Sequence, residues 1–146
     1  MAILSLSATT VLAVAQRVFE DTNTVVDRRD VFNDGRVALD ELTKHLRQAE
    51  SVDAASTASA VTMPTYLDGT GATVVWRAVG TSAPYALERS TDGGVSYVEV
   101  LDSLASPEVF TYVQHDGVTD QVTVAFQLTT STTVVELTTD IYLRNV

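Results

Sequence analysis

The chain has 146 residues, with 19 acidic side chains against nine Lys and Arg, a formal net charge of −10 and no cysteine. That length bounds it to one ordinary domain. The missing cysteine excludes a disulfide framework, a thiol nucleophile and a thiolate metal site, and the acidic balance excludes a basic footprint for nucleic acid.

The charge is unevenly placed. Residues 17–50 hold six of the nine cations (Arg17, Arg28, Arg29, Arg36, Lys44, Arg47) against eight acids, whereas residues 51–146 hold three against eleven. Dense mixed charge suits an exposed helix, and sparse acidic charge amid Thr, Ser and Val suits strands.

Residues 1–15, "MAILSLSATTVLAVA", carry no charge. They are too few for a spanning helix, which needs about 20 residues, and they lack the basic start of a signal peptide. Apolar residues then recur at Val11, Val14, Val18, Val25, Phe32, Leu39, Leu42 and Leu46. Steps of three, four and seven mark one helix face. Thr22, Arg29 and Gly35 fall on the same stripe, and no proline precedes Pro64. A helix from about residue 8 to 49 is roughly 60 Å long, more than a small core covers, so one end projects.

Inside this helix lies "DVFNDGRVALDE", residues 30–41. Asp30, Asp34, Gly35 and Glu41 match positions 1, 5, 6 and 12 of an EF-hand loop. Position 3 requires a side-chain oxygen and holds Phe32. The alternative is that Asp30, Asp34 and Glu41 are solvated helix charges, partly paired with Arg29, Arg36 and Lys44. Gly35 then marks a bend or weak point, since glycine costs about 1 kcal/mol in a helix interior.

"SVDAASTASA", residues 51–60, is a small, polar connector. The period then changes to two, through residues 74–79, 122–128 and 135–143, with turn signals at "DGTG" (68), "TDGG" (91), "HDG" (115) and "TTST" (129). About seven strands result. The expected fold is α+β, a long N-terminal helix packed on an antiparallel β-sheet head. It forms a single domain comprising a helix over residues 1–50, a connector over 51–60 and a β-rich head over 61–146.

Candidate chemistry is sparse. His45 sits in helical sequence and His115 opens an Asp-Gly turn, neither with metal-ligand spacing. Serine is plentiful, but no G-x-S-x-G occurs. "STDGGVSY" and "DGTG" can cradle an anion through backbone N–H groups, yet two-glycine turns between strands are commoner. Trp76 alternates with Val74 and Ala78 and belongs in the core. No catalytic set is assembled, so the expectation is a non-enzyme without a cofactor.

The pattern "R-x-A-L-x-x-L-x-x-x-L-R-Q-A" is filled by Arg36, Ala38, Leu39, Leu42, Leu46, Arg47, Gln48 and Ala49. With "VVWRAVG" at 74, "LERSTDGG" at 87 and the closing "VVELTTDIYLRN", it resembles type IV pilins and type II secretion pseudopilins, closest to the J-type minor group. The resemblance covers nearly the whole chain. It implies a structural minor subunit whose partners are other pilin or pseudopilin subunits and, before assembly, the inner or cytoplasmic membrane. It also implies a place in the cell envelope with an extracytoplasmic head. Ile3, Leu4, Leu6, Val11, Leu12, Val14 and Val18 are the filament- and membrane-packing candidates. Phe32, Leu39, Leu42 and Leu46 are the helix-on-sheet candidates. The family's basic leader, peptidase glycine, methylated Phe and following Glu are not in the sequence, and the expectation is a chain beginning about ten residues inside a prepilin. Two alternatives come from other classes: a secreted β-rich binding module with calcium at Asp92, Asp116 and Asp120, and a phage or virion structural protein.

Overall fold

A computed structural model describes residues 2–143 except 68 and 132, with side chains in the helix from residue 25 onward. One helix, α1 (Ala2–Gln48), is followed by seven strands. These are β1 (Ala60–Leu67), β2 (Thr70–Val79), β3 (Tyr85–Ser90), β4 (Val98–Leu104), β5 (Phe110–His115), β6 (Val118–Thr129) and β7 (Val134–Tyr142). All pairings are antiparallel, in the order β1-β2-β3-β4-β6-β5, with β7 added beside β6.

The expected α+β fold, a long helix packed on a sheet, is therefore corrected. Over residues 25–143 the fold is mostly β: a curled seven-stranded sheet with the 25–48 stretch of α1 as its short helix, at 51% strand and 21% helix. The physical reason lies in where the helix carries its contacts. Ala38, Leu42, Leu46 and the adjoining Ala49 are fully buried, whereas Val25 and Val26 are 67% and 52% exposed. Among the described side chains of α1, those of its last turns form the apolar face that the sheet covers.

Alternation along the strands sets that face. Val61 and Met63 of β1 lie opposite Trp76 and Val74 of β2, and all four are fully buried. Val122, Val124, Phe126 and Leu128 of β6 complete the inner layer. The hairpins form where glycine supplies left-handed backbone. Asp116 and Gly117, at φ 51° and 82°, make the two-residue turn between His115 and Val118.

Residues 51–60 do more than connect. The Ala58 carbonyl accepts the N–H groups of Val109 and Phe110, at 2.7 and 2.9 Å, and the Ala78 N–H donates to the Ser59 carbonyl. The Tyr112 hydroxyl donates to the carbonyls of Thr57 and Ala60. The segment thus bridges β2 to β5 and holds the sheet in its curl.

Gly35 is likewise more than a weak point. A Cβ there would collide with Leu128 Cδ1 and lie 3.1 Å from Leu137 Cδ1. The helix passes so close to β6 and β7 that only hydrogen fits. Replacing Gly35 by Ala gains about 1 kcal/mol of helix propensity but overpacks the buried Leu128, at a cost of about 1–3 kcal/mol. Gly35→Ala is expected to lower the unfolding temperature and Gly35→Leu to lower it further, measured by thermal melts, with Leu128→Val recovering part of the loss.

Candidate functional site

The polar groups that converge do so where α1 meets β2 and β3. Trp76 projects inward beneath the helix, and its Nε1–H donates to His45 Nδ1 at 3.2 Å. The rings are tilted, with centroids 5.8 Å apart. With Nδ1 accepting, neutral His45 carries its proton on Nε2. Burial holds the His45 pKa below its usual 6.5, and neighbouring Lys44 adds to the depression.

Arg89 is register partner to Trp76 and so shares its inward face. It forms an ion pair with Glu41 of α1. On the opposite face Arg77 pairs with Glu88 at 2.8 Å, while its guanidinium lies 3.4 Å from the centroid of the Tyr97 ring. The β3–β4 turn is closed by Asp92. Its carboxylate accepts the Ser90 hydroxyl and the backbone N–H groups of Val95 and Ser96. These hydroxyl and amide donors hold its pKa far below the usual carboxylate range. "STDGGVSY" thus directs its hydrogen bonds into its own turn.

The EF-hand-like residues lie on α1, which is continuous through residues 30–41. Asp30 and Asp34 are exposed, and Glu41 is turned to Arg89. Asp92, Asp116 and Asp120 belong to the β3–β4 turn, the β5–β6 turn and β6 respectively. Among the described residues, no three His, Cys, Asp or Glu side chains gather as metal ligands. His115 is exposed, 3.8 Å from Asp116.

Of the helix-on-sheet candidates, Leu42 and Leu46 are fully buried, and Leu39 packs half-buried at the flank. Phe32 is half-buried in a cleft beside Val135. Sequence periodicity placed Gly35 on the stripe without a packing role and missed Ala38, His45 and Ala49; these four complete the docking seam. Ile3, Leu4, Leu6, Val11, Leu12, Val14 and Val18 lie outside the residues whose side chains are described. Among the described residues, no helix is long and apolar enough to cross a membrane.

The junction fastens α1 to β2 and β3 with the Trp76–His45 hydrogen bond and the Arg89–Glu41 ion pair, and the Thr65 hydroxyl and Ser131 N–H add hydrogen bonds to the His45 carbonyl and the Asp27 carboxylate. It presents no nucleophile beside a base. No family model, curated protein or solved structure matches the chain.

Two outcomes follow from this geometry. The folded state holds His45 neutral while the unfolded chain takes up a proton near 6.5. His45 therefore contributes fully above that pH, and its contribution declines as pH falls through 6.5 toward the lower folded value. The unfolding temperature should drop from about pH 7.5 to about pH 5.5, and His45→Gln should flatten that slope. Second, Glu41→Ala leaves Arg89 half-buried without its partner. This should cost about 2 kcal/mol in denaturant unfolding, whereas the paired Glu41→Leu and Arg89→Met replacement should cost less than either single change.

Proposed function

We propose that this chain is a structural minor subunit of a type IV pilus-like or type II secretion-like filament, assembling through its N-terminal helix. One observation supports this above the rest. The segments that resemble the J-type subunits are those that fasten α1 to the sheet. The apolar positions of "R-x-A-L-x-x-L-x-x-x-L-R-Q-A" supply Ala38, Leu42, Leu46 and Ala49, all fully buried. "VVWRAVG" supplies Trp76 to His45, and "LERSTDGG" supplies Arg89 to Glu41 together with the Asp92-centred turn. The resemblance thus rests on residues that fix how a helix leaves a β-rich head, the geometry on which assembly through that helix depends.

The helix carries unsatisfied apolar surface where it departs. Val25 and Val26 are exposed on the described part, and the uncharged run of residues 1–15 precedes them in sequence. Surface of this kind associates with neighbouring helices or lipid. In this scheme the helix rests in a membrane before assembly and packs against other subunits afterwards. The acidic head stays extracytoplasmic within the cell envelope.

The test is Leu12→Glu in the full chain, expressed with the host's filament machinery. Recovery of the variant in sheared filaments or tip complexes should fall at least tenfold, while the head's thermal unfolding stays unchanged. Normal incorporation of a folded Leu12→Glu chain would overturn the proposal.

A further inference from the structure

The last strand leaves one edge of the sheet open, and the direction of its free backbone groups follows from the register. At one end of the β6–β7 ladder the Thr130 N–H donates to the Thr133 carbonyl; at the other the Leu143 N–H donates to the Asp120 carbonyl. The register between them runs without interruption from Thr129↔Val134 to Gln121↔Tyr142. In an antiparallel ladder, hydrogen-bonded and non-bonded pairs alternate. Both ends therefore give the same parity, in which odd-numbered residues of β7 bond β6. Glu136, Thr138, Asp140 and Tyr142 point their N–H and C=O groups away from the sheet. Among the described residues, no other backbone group pairs with them.

Beneath this edge runs a row of three clefts, each walled by both α1 and β7. The first, about 280 Å³, lies between Val135 and the helix residues Arg28, Arg29 and Phe32. The second, about 390 Å³, lies between Thr139 and Leu39, Thr43, Lys44 and Arg47. The third, also about 390 Å³, joins Arg47 to Ile141 and Tyr142. Val135, Thr139 and Ile141 share one face of β7, at the spacing by which alternate side chains of an adjacent strand would enter the clefts.

The first two clefts carry a net positive lining in an acidic chain, and the third sets Arg47 against Asp140. Arg28, Arg29, Lys44 and Arg47 have no ion-pair partner among the described residues. Asp40 and Asp140 line the second and third clefts, but neither lies within ion-pair distance of Lys44 or Arg47. On the other face of β7 the exposed side chains include Glu136 and Asp140. A strand laid along this edge would meet cations with one set of side chains and carboxylates with the other.

We propose that the β7 edge is a strand-addition site for an extended segment of a partner protein. That segment carries carboxylates alternating with apolar residues on the side facing α1, and neutral or basic residues on the other. Main-chain hydrogen bonds to Glu136, Thr138, Asp140 and Tyr142 supply register-independent affinity, and the basic clefts supply selectivity. The site uses only β7 and the flank of α1, so it stands or falls separately from filament assembly.

The experiment titrates the full-length, isotope-labelled chain with the peptide Glu-Thr-Val-Lys-Glu-Thr-Val and with its counterpart in which both Glu are Lys. Binding should shift the amides of Glu136, Thr138 and Asp140 and slow their hydrogen exchange, and the Lys counterpart should bind at least tenfold more weakly. Thr138→Pro removes an outward N–H while leaving the β6 ladder paired. It should keep the β5–β6 amide spectrum and lose at least tenfold in affinity, and Arg47→Glu should erase the preference between peptides. Failure to bind, shifts confined to another surface, or undiminished affinity in a folded Thr138→Pro chain would overturn the proposal. Concentration-dependent protection of β7 without peptide would place a second copy there and overturn the assignment to a separate acidic partner.

Discussion

Everything in this molecule depends on how closely the last turns of α1 approach the curled sheet. The seam sets two large residues, Leu42 and Leu46, between the small Gly35, Ala38 and Ala49. The large ones supply burial, each Leu contributing about 1.5–3 kcal/mol. The small ones set the distance. Gly35 admits Leu128 and Leu137, and Ala38 and Ala49 are enclosed completely. A longer side chain at any of the three would lift the helix and uncover the leucines beside it. Close packing makes such a seam sensitive to single methyl groups.

The polar groups at the junction convert proximity into a defined orientation. A hydrophobic seam alone tolerates sliding of a helix along a sheet, because burial is non-directional. The Trp76 Nε1–H bond to His45 and the Arg89–Glu41 pair are directional, and they fall one turn apart on α1. A shift of the helix by one residue would break both and leave partly buried polar groups unpaired, a larger penalty than either contact contributes when intact. The outer Arg77–Glu88–Tyr97 stack and the Asp92 turn stiffen β2, β3 and β4 from the other side, so the inward residues of those strands are presented from a firm base.

Much of the β part was legible because its signals are local. Period-two alternation and Asp-Gly or Gly-Gly turns fix strand positions without knowledge of the partner strand, as the left-handed Asp116 and Gly117 show. The helix was legible as a helix but not as a packing element. Hydrophobicity singled out Leu42 and Leu46, which are fully buried, and Phe32 and Leu39, which the structure leaves half-buried at the flank; it counted Gly35 as an interruption of the stripe and passed over Ala38 and Ala49. Small residues carry no amphipathic signal, and their value appears only when the opposing Leu128 and Leu137 are known. The weight given to a long packed helix had the same origin: a stripe of apolar positions shows that a helix has a face, not how much of it a sheet covers. His45 was unreadable for a different reason. Its partner, Trp76, is 31 residues away, and no spacing rule links them. Arg89 did leave a trace, since alternation placed a charge on the face shared with Leu87, and an inward charge demands a counter-charge.

The surfaces of α1 divide accordingly. One face, ending in Leu42, Leu46 and Ala49, is consumed by the fold. The flank toward β7 carries cations that the fold leaves without described partners, although the head offers abundant carboxylates. That asymmetry is informative. In a chain of net charge −10, unpaired Arg and Lys next to an open strand edge would be neutralised cheaply by nearby acids if internal stability alone governed their placement. Glu136 instead lies on the opposite face of β7, and Asp140, which borders the third cleft, accepts a hydrogen bond from the Thr123 hydroxyl. They do guard the edge against indiscriminate pairing, as charges on edge strands do. An excess of cations on the cleft side and of acids on the other makes the edge repel a strand of the wrong polarity and accept one of the right polarity. Selectivity of that kind arises from the repulsive face as much as from the attractive one.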